Sequence, residues 1–180
     1  MLMPFFGIIG VFIIFNSGFP VFYLQMRVGR NNRDFKLFKF RTMYTNSDKR
    51  GLLTVGGRDL RITGIGYYLR KYKIDELPQL FNVLIGNMSL VGPRPEVRKY
   101  VNLYDPEQLL VLSVKPGITD FASLEFINEN ELLYQSADPE QTYIYKIMPE
   151  KLALNKKYIE QKSFLTDLKI IFSTLKKIMS

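Results

Sequence analysis

The sequence predicts a mixed α/β, predominantly helical domain that associates with a membrane. Three observations carry this. The first fifteen residues, MLMPFFGIIGVFIIF, are almost wholly apolar, and no charged side chain occurs before Arg27. Two short apolar stretches flank the turn Val28-Gly29-Arg30-Asn31-Asn32, the pattern of a β-hairpin. The rest of the chain is cut by Gly and Pro into segments of helical spacing, the last of them amphipathic.

Each element follows from local signals. As a helix the apolar N-terminus would reach roughly 22 Å, short of the roughly 30 Å hydrocarbon core of a bilayer. The flank then turns basic at once, through Arg27, Arg30, Arg33, Lys36, Lys39 and Arg41. That pattern fits partial insertion on the cytoplasmic side with attraction to anionic lipid; a buried helix is the alternative. Asn16-Ser17-Gly18 stops this helix. Residues 20–26 and 35–43 read as the two hairpin strands, and residues 46–58, polar and Gly-rich, as a mobile loop.

Thr63 is placed to cap a helix ending near Lys71, and Asp75 to cap another ending near Ile85, with Gly86 as its stop. Residues 96–104 and 106–114 read as helical, and Lys115-Pro116-Gly117 as a turn. Residues 139–158 read as one or two helices, the second started or kinked at Pro149. In the final segment Phe164, Leu168, Ile171, Phe172, Leu175 and Ile178-Met179 fall at helical spacing. This helix packs on the domain or lies at the bilayer interface. No internal repeat is present.

Composition narrows the chemistry. A chain of 180 residues forms one domain, or one domain plus a membrane element. A net charge of +8 favours anionic partners. No nucleic-acid motif accompanies it, so phosphorylated ligands and acidic lipid are expected rather than nucleic acid. There is no Cys, which excludes a disulfide framework and thiolate catalysis. There is also no His, the commonest general base. Acid, base or nucleophilic work therefore falls to Asp, Glu, Lys, Tyr, Ser or Thr.

The segment KIDELPQLFNVLIGNMSLVGPRPE, residues 73–96, holds the candidate site. Asp75-Glu76 can be helix-capping residues. The same placement also suits chemistry: one carboxylate attacks phosphorus while its neighbour helps hold a hard divalent cation. An aspartate nucleophile needs no base. Pro93-Arg94-Pro95 is either a stiff surface turn or a pre-organised guanidinium for phosphate. Arg70 either complements a helix dipole or forms a second phosphate clamp. Lys39 and Arg41 are a solvated strand face or meet phosphate or lipid. Asp167 pairs with a lysine or adds a third acidic group to the site.

In this order and spacing, several motifs resemble the bacterial sugar transferase family, the monotopic phosphoglycosyl transferases. They are Gly18-Phe19-Pro20-Val21-Phe22, Phe38-Lys39-Phe40-Arg41-Thr42-Met43, Leu69-Arg70, and Asp75-Glu76-Leu77-Pro78-Gln79-Leu80. The run Met88-Ser89-Leu90-Val91-Gly92-Pro93-Arg94-Pro95 is the most specific, and Lys115-Pro116-Gly117-Ile118-Thr119 and Asp167-Leu168-Lys169-Ile170 complete the set. The resemblance covers nearly the whole chain. It implies a nucleotide diphosphate sugar, usually a UDP-sugar, bound with Mg²⁺. Asp75 would attack the sugar-linked phosphorus, release UMP and carry the phosphosugar to a polyprenyl phosphate, typically undecaprenyl phosphate. Asp75 and Glu76 would hold the metal, and Arg70 and Arg94 would contact phosphate. The implied setting is the cytoplasmic face of the inner membrane, at the start of surface glycan assembly, with downstream glycosyltransferases as partners.

The implied organisation is a membrane-associating segment over residues 1–18 and a cytoplasmic transferase domain over residues 19–180. Two departures from the family pattern stand out. Family members carry a basic stretch and the first half of a broken, re-entrant helix ahead of the position matching Pro4, so residues 1–18 correspond to the second half. A truncated relative without turnover, binding membrane or a partner enzyme, is the alternative reading. After Thr119 the family has a Gly-led run ending in Gly-Arg-Asn. Here Asp120-Phe121-Ala122-Ser123-Leu124-Glu125-Phe126 follows.

Overall fold

A computed structural model describes residues 2–47, 51, 53–56 and 59–179. The loop expected over residues 46–58 lies partly outside them, as does the Met179 side chain. The architecture is mixed and mostly helical, with two small sheets of two strands each.

Helix α1 (Leu2–Ser17) is apolar on all sides, but only one stripe is covered. Phe6, Ile9 and Ile13, spaced three and four apart, are buried against Phe40 and Leu69. The Phe6 ring meets Phe40 and Phe81 edge-on at 5.2 and 5.7 Å. Phe5, Ile8, Val11, Phe12 and Phe15 stay exposed. Among the described residues no helix is long and apolar enough to cross a membrane.

The expected hairpin forms. Strand β1 (Phe22–Val28) pairs antiparallel with β2 (Asp34–Phe40), Phe22 opposite Phe40 and Val28 opposite Asp34. Asn31 and Asn32 make the turn at φ 57° and 60°, a conformation asparagine tolerates. Strand β2 stops three residues earlier than expected, because Arg41 turns back toward α1.

Helix α2 (Gly64–Lys71) is capped as expected: the Thr63 hydroxyl accepts from the Gly66 N–H at 3.0 Å. The next helix is not. Asp75 caps nothing; it lies inside a 3-10 turn, Ile74–Glu76, entered through Lys73 at φ 55°. Leu77 and Pro78 continue the turn into α3 (Gln79–Leu84), and Pro78 needs no N–H partner there. Gly86, at φ 86°, ends the segment as expected.

The second sheet was not legible from periodicity. Strand β3 (Ser89–Val91) and β4 (Gly117–Thr119) have three residues each and pair in parallel. The pairing needs glycine: a Cβ on Gly117 would lie 2.1 Å from the Gly92 nitrogen. The helices expected over 96–104 and 106–114 shrink to α4 (Arg98–Val101) and a 3-10 stretch, Gln108–Ser113. Asp105 and Gln108 bond each other's backbone N–H groups at 2.7 and 3.0 Å, which closes a tight turn.

Short helices α5 (Phe121–Glu125), α6 (Glu129–Tyr134) and α7 (Pro139–Thr142) follow. A π turn (Tyr143–Ile147) leads into α8 (Met148–Gln161), with Pro149 in its first turn. The main core joins Val97, Tyr100, Val111, Leu133, Tyr143, Ile147, Met148 and Leu152. Helix α9 (Phe164–Met179) packs on the domain, the first of the two placements expected for it. Ile170 packs under β3 with Tyr158, while Phe164, Leu165, Phe172 and Leu175 remain exposed.

Gly117→Ala should lower unfolding stability by about 1–3 kcal/mol, because the backbones must separate to admit the methyl group. Denaturant titration of the detergent-solubilised protein measures this. An unchanged midpoint would contradict the close approach.

Candidate active site

The site forms where the 3-10 turn carrying Asp75 and Glu76 meets β2 and the Pro93-Arg94-Pro95 loop. Lys39 on β2 lies 3.3 Å from Glu76 Oε1. Arg94 grips the same carboxylate with both arms: Nη1 donates to Oε2 at 3.0 Å and Nη2 to Oε1. Glu76 is thus the hub of two ion pairs with its side chain only 12% exposed. Burial works to raise its carboxyl, but Arg94 and Lys39 outweigh it and hold it well below the usual range. The Glu76 charge in turn pushes the Arg94 guanidinium upward. Burial lowers Lys39 to about 8, although the Glu76 carboxylate opposes the shift.

The loop bearing Arg94 is fixed through its backbone. Pro93 O accepts from the Gly117 N–H at 3.0 Å, and the Arg94 N–H donates to Asp120 Oδ2 at 3.1 Å. Pro95 O accepts from Arg27 Nη1 at 3.1 Å, and Glu96 O from the Val28 N–H at 2.8 Å. Arg27 also pairs with the Glu96 carboxylate, which Tyr143 bonds from the other side. Asp120 is fully buried and its second oxygen caps α5 through the Ser123 N–H at 2.6 Å.

Asp75 is different in kind. It is 6% exposed, and its side chain forms no hydrogen bond among the described residues. Its Oδ1 is enclosed without a partner. Burial, reinforced by Glu76, lifts its carboxyl to about 6, against the pull of Lys39, Arg70 and Lys73. A buried, under-satisfied carboxylate near several cations is the kind of arrangement at which functional groups cluster.

The structure therefore joins Lys39, Asp75, Glu76 and Arg94. Arg70 contributes its charge to Asp75, while its Nη2 donates to Thr54 Oγ1 at 2.8 Å. Two expected residues are engaged elsewhere. Arg41 is buried and gathers the carbonyls of Ser17, Gly18 and Phe19 at the end of α1, so it ties that helix to the hairpin. Asp167 accepts from the Tyr158 hydroxyl at 2.8 Å and anchors α9 near β3. Sequence reasoning missed Lys73, whose charge reaches both carboxylates, and Asp120, noted above only as a departure. An Asp three residues before the Ser of a short helix was the available signal for Asp120.

Carboxylate oxygen is the donor type that suits a hard cation, although Asp75 Oδ1 is enclosed. Both Glu76 oxygens are engaged by cations. No group of three or more His, Cys, Asp or Glu side chains converges on a metal position among the described residues.

With this geometry in place, comparison with known proteins defines the class. The family model described as "Bacterial sugar transferase" matches residues 1–180, and the chain belongs to that family. It is 39% identical over 173 residues to the UDP-N-acetylgalactosamine-undecaprenyl-phosphate N-acetylgalactosaminephosphotransferase of Aeromonas hydrophila, covering 94% of this chain and 38% of the relative. It is 39% identical over 162 residues to the uncharacterized sugar transferase EpsL of Bacillus subtilis, covering 90% of this chain and 71% of EpsL. It is 34% identical over 182 residues to the UDP-glucose:undecaprenyl-phosphate glucose-1-phosphate transferase of Xanthomonas campestris, covering 99% of this chain and 35% of that protein. The chain thus spans only about a third of the length of some relatives and most of the length of others.

The raised Asp75 carboxyl has a stability consequence. The folded state holds the Asp75 proton to about 6, while the unfolded chain releases it near 3.8. This contribution to stability is present below the unfolded value and is lost as pH rises through about 6. Asp75→Asn should therefore stabilise the protein at pH 7.5 by about 2–3 kcal/mol and much less at pH 4. Thermal melts at the two pH values check this; destabilisation at pH 7.5 would contradict it.

Proposed function

We propose that this chain is a membrane-surface phosphoglycosyl transferase that moves a sugar 1-phosphate from a UDP-sugar to undecaprenyl phosphate. The observation that carries the proposal is Asp75: a buried carboxylate without hydrogen bonds, surrounded by Lys39, Arg70, Lys73 and the Glu76–Arg94 pair. The names of the Aeromonas and Xanthomonas relatives support the donor and acceptor classes.

The chemistry balances without a general base, in keeping with a chain that lacks His. Asp75 Oδ2 attacks the sugar-linked phosphorus of the donor. The bond from that phosphorus to the bridging oxygen breaks, and UMP leaves with the electron pair. Asp75 now carries the phosphosugar as an acyl-phosphate. A phosphate oxygen of the polyprenyl acceptor attacks the same phosphorus, the bond to Asp75 breaks, and the carboxylate is restored. The product is a polyprenyl diphosphate sugar.

The ion pairs of Glu76 prepare this sequence. Glu76 holds Arg94 charged and opposes the burial that lowers Lys39, and both side chains are in place before the donor arrives, so little ordering entropy remains to be lost. The donor's diphosphate offers both cations a second anion, which frees the Glu76 oxygens. Asp75 and Glu76 would then hold Mg²⁺, which would supply charge neutralisation of the diphosphate against the anionic nucleophile. Arg70, released from Thr54, supplies a further cation.

A lipid acceptor calls for a membrane location. Helix α1 is apolar on a face that no described residue covers, and α9 exposes Phe164, Leu165, Phe172 and Leu175. These support monotopic attachment at the inner membrane with residues 19–180 on the cytoplasmic face and residues 1–18 as the attaching segment. Polysaccharide assembly enzymes that extend the product are the expected downstream partners.

UMP release from a UDP-sugar panel, with undecaprenyl phosphate, Mg²⁺ and detergent-solubilised protein, tests the proposal. One donor should give sugar-dependent UMP release, and Asp75→Asn should reduce it at least 10⁴-fold, as for loss of a covalent nucleophile. No release from any donor would favour a binding role without turnover, and wild-type turnover in Asp75→Asn would remove Asp75 as the nucleophile.

A further inference from the structure

The turn from Asp75 through α3 buries one face, formed by Asp75, Pro78, Gln79 and Asn82. Their spacing of three, four and seven residues is that of a single helical stripe. Apart from Pro78 this buried stripe is polar, which is costly unless each group finds a partner. Asn82 has its partners: Oδ1 accepts from the Phe38 N–H at 3.0 Å, and Nδ2 donates to Lys36 O at 2.7 Å. It stitches α3 to β2.

Gln79 lies between Asn82 and Asp75 on this stripe and is 1% exposed. Its Nε2, a donor of two hydrogens, is enclosed with no partner. One turn earlier, Asp75 Oδ1 is enclosed with no donor. A buried donor and a buried acceptor, both unsatisfied, thus stand four residues apart on the same face. Leaving such groups unmatched is costly, more so for the charged one.

We propose that Gln79 is a positioning residue for the reaction at Asp75: its carboxamide Nε2 donates to Asp75 Oδ1, directly or through one water, when the carboxylate is ionised and the donor is bound. This bond fixes the carboxylate's rotation about its Cβ–Cγ axis. It engages the inner oxygen and leaves Oδ2 to face phosphorus. The polar stripe then has one logic throughout: Asn82 locks the helix to the strand that carries Lys39, and Gln79 locks the nucleophile to the helix. Gln79 touches neither donor nor acceptor, so its loss should slow formation of the Asp75 adduct and leave donor binding unchanged.

This inference rests on Asp75 as the nucleophile, and the experiment separates the two. Wild type, Gln79→Met and Gln79→Glu are mixed with the UDP-sugar that supports turnover, and adduct formation at Asp75 is followed by quenched mass spectrometry. Gln79→Met keeps the side-chain length without a donor; Gln79→Glu keeps the shape and places a second carboxylate against Oδ1. The expected result is a 10- to 100-fold slower adduct formation and kcat in Gln79→Met, a larger loss in Gln79→Glu, and a donor KM within about twofold of wild type. A melting temperature for Gln79→Met at or above wild type would exclude misfolding as the cause, since an unmatched buried amide is removed. If that variant fails to accumulate, Gln79→Glu alone decides through the same split. Wild-type adduct rates in either folded variant, or an equal rise in KM, would overturn the assignment of Gln79. Turnover without an adduct in wild type would instead overturn the role of Asp75.

Discussion

The carboxylate of Glu76, held by Arg94 on one side and Lys39 on the other, is the contact on which the rest depends. It joins three parts of the chain far apart in sequence: the second hairpin strand, the 3-10 turn after α2, and the loop after β3. Taken alone, a buried ion pair is a doubtful source of stability, because desolvation offsets much of the attraction. Its value here is positional. Two cations stand beside the Asp75 carboxylate, which has no hydrogen bond among the described residues, and in the proposed reaction a diphosphate would take the place of Glu76. The surrounding contacts fix that arrangement: two parallel strands of three residues, two facing glycines and the buried Asp120 hold the loop that carries Arg94.

Part of this was legible in the sequence, and part was not. The hairpin, the Thr63 cap and the Gly86 stop depend on local residue chemistry, and local chemistry is what a sequence displays. The second sheet was invisible because three-residue strands show no alternation and parallel pairing joins residues nearly thirty positions apart. Asp75 was read as a possible cap because an acidic residue before a helix usually is one. The left-handed Lys73 and Pro78 instead place it inside a tighter turn, where it is buried rather than bonded to backbone. Arg41 belonged to the basic flank of an apolar segment and was read as facing lipid or phosphate. Its burial beneath three carbonyls depends on where α1 ends in space. Asp120 escaped notice because its bond to the Arg94 N–H is tertiary, whereas Lys73, two residues before Asp75, was within local reach and was passed over.

The exposed apolar surface completes the picture. A helix apolar on every side but covered on one cannot be explained by the core of this chain. The same face geometry recurs in α9, where Phe164, Leu165, Phe172 and Leu175 project outward while Asp167 and Ile170 hold the helix down. These two surfaces are the observation on which the proposed membrane attachment rests. The basic side chains after α1 add attraction to anionic headgroups.

The central claim is that phosphorus passes through a covalent bond to one buried aspartate. Peptide mapping of wild-type protein, quenched under conditions that preserve acyl-phosphates after donor is added without acceptor, tests it directly. The account predicts a phosphosugar mass on the peptide containing Asp75, which disappears when undecaprenyl phosphate is added. Sustained turnover with no adduct on that peptide would contradict it.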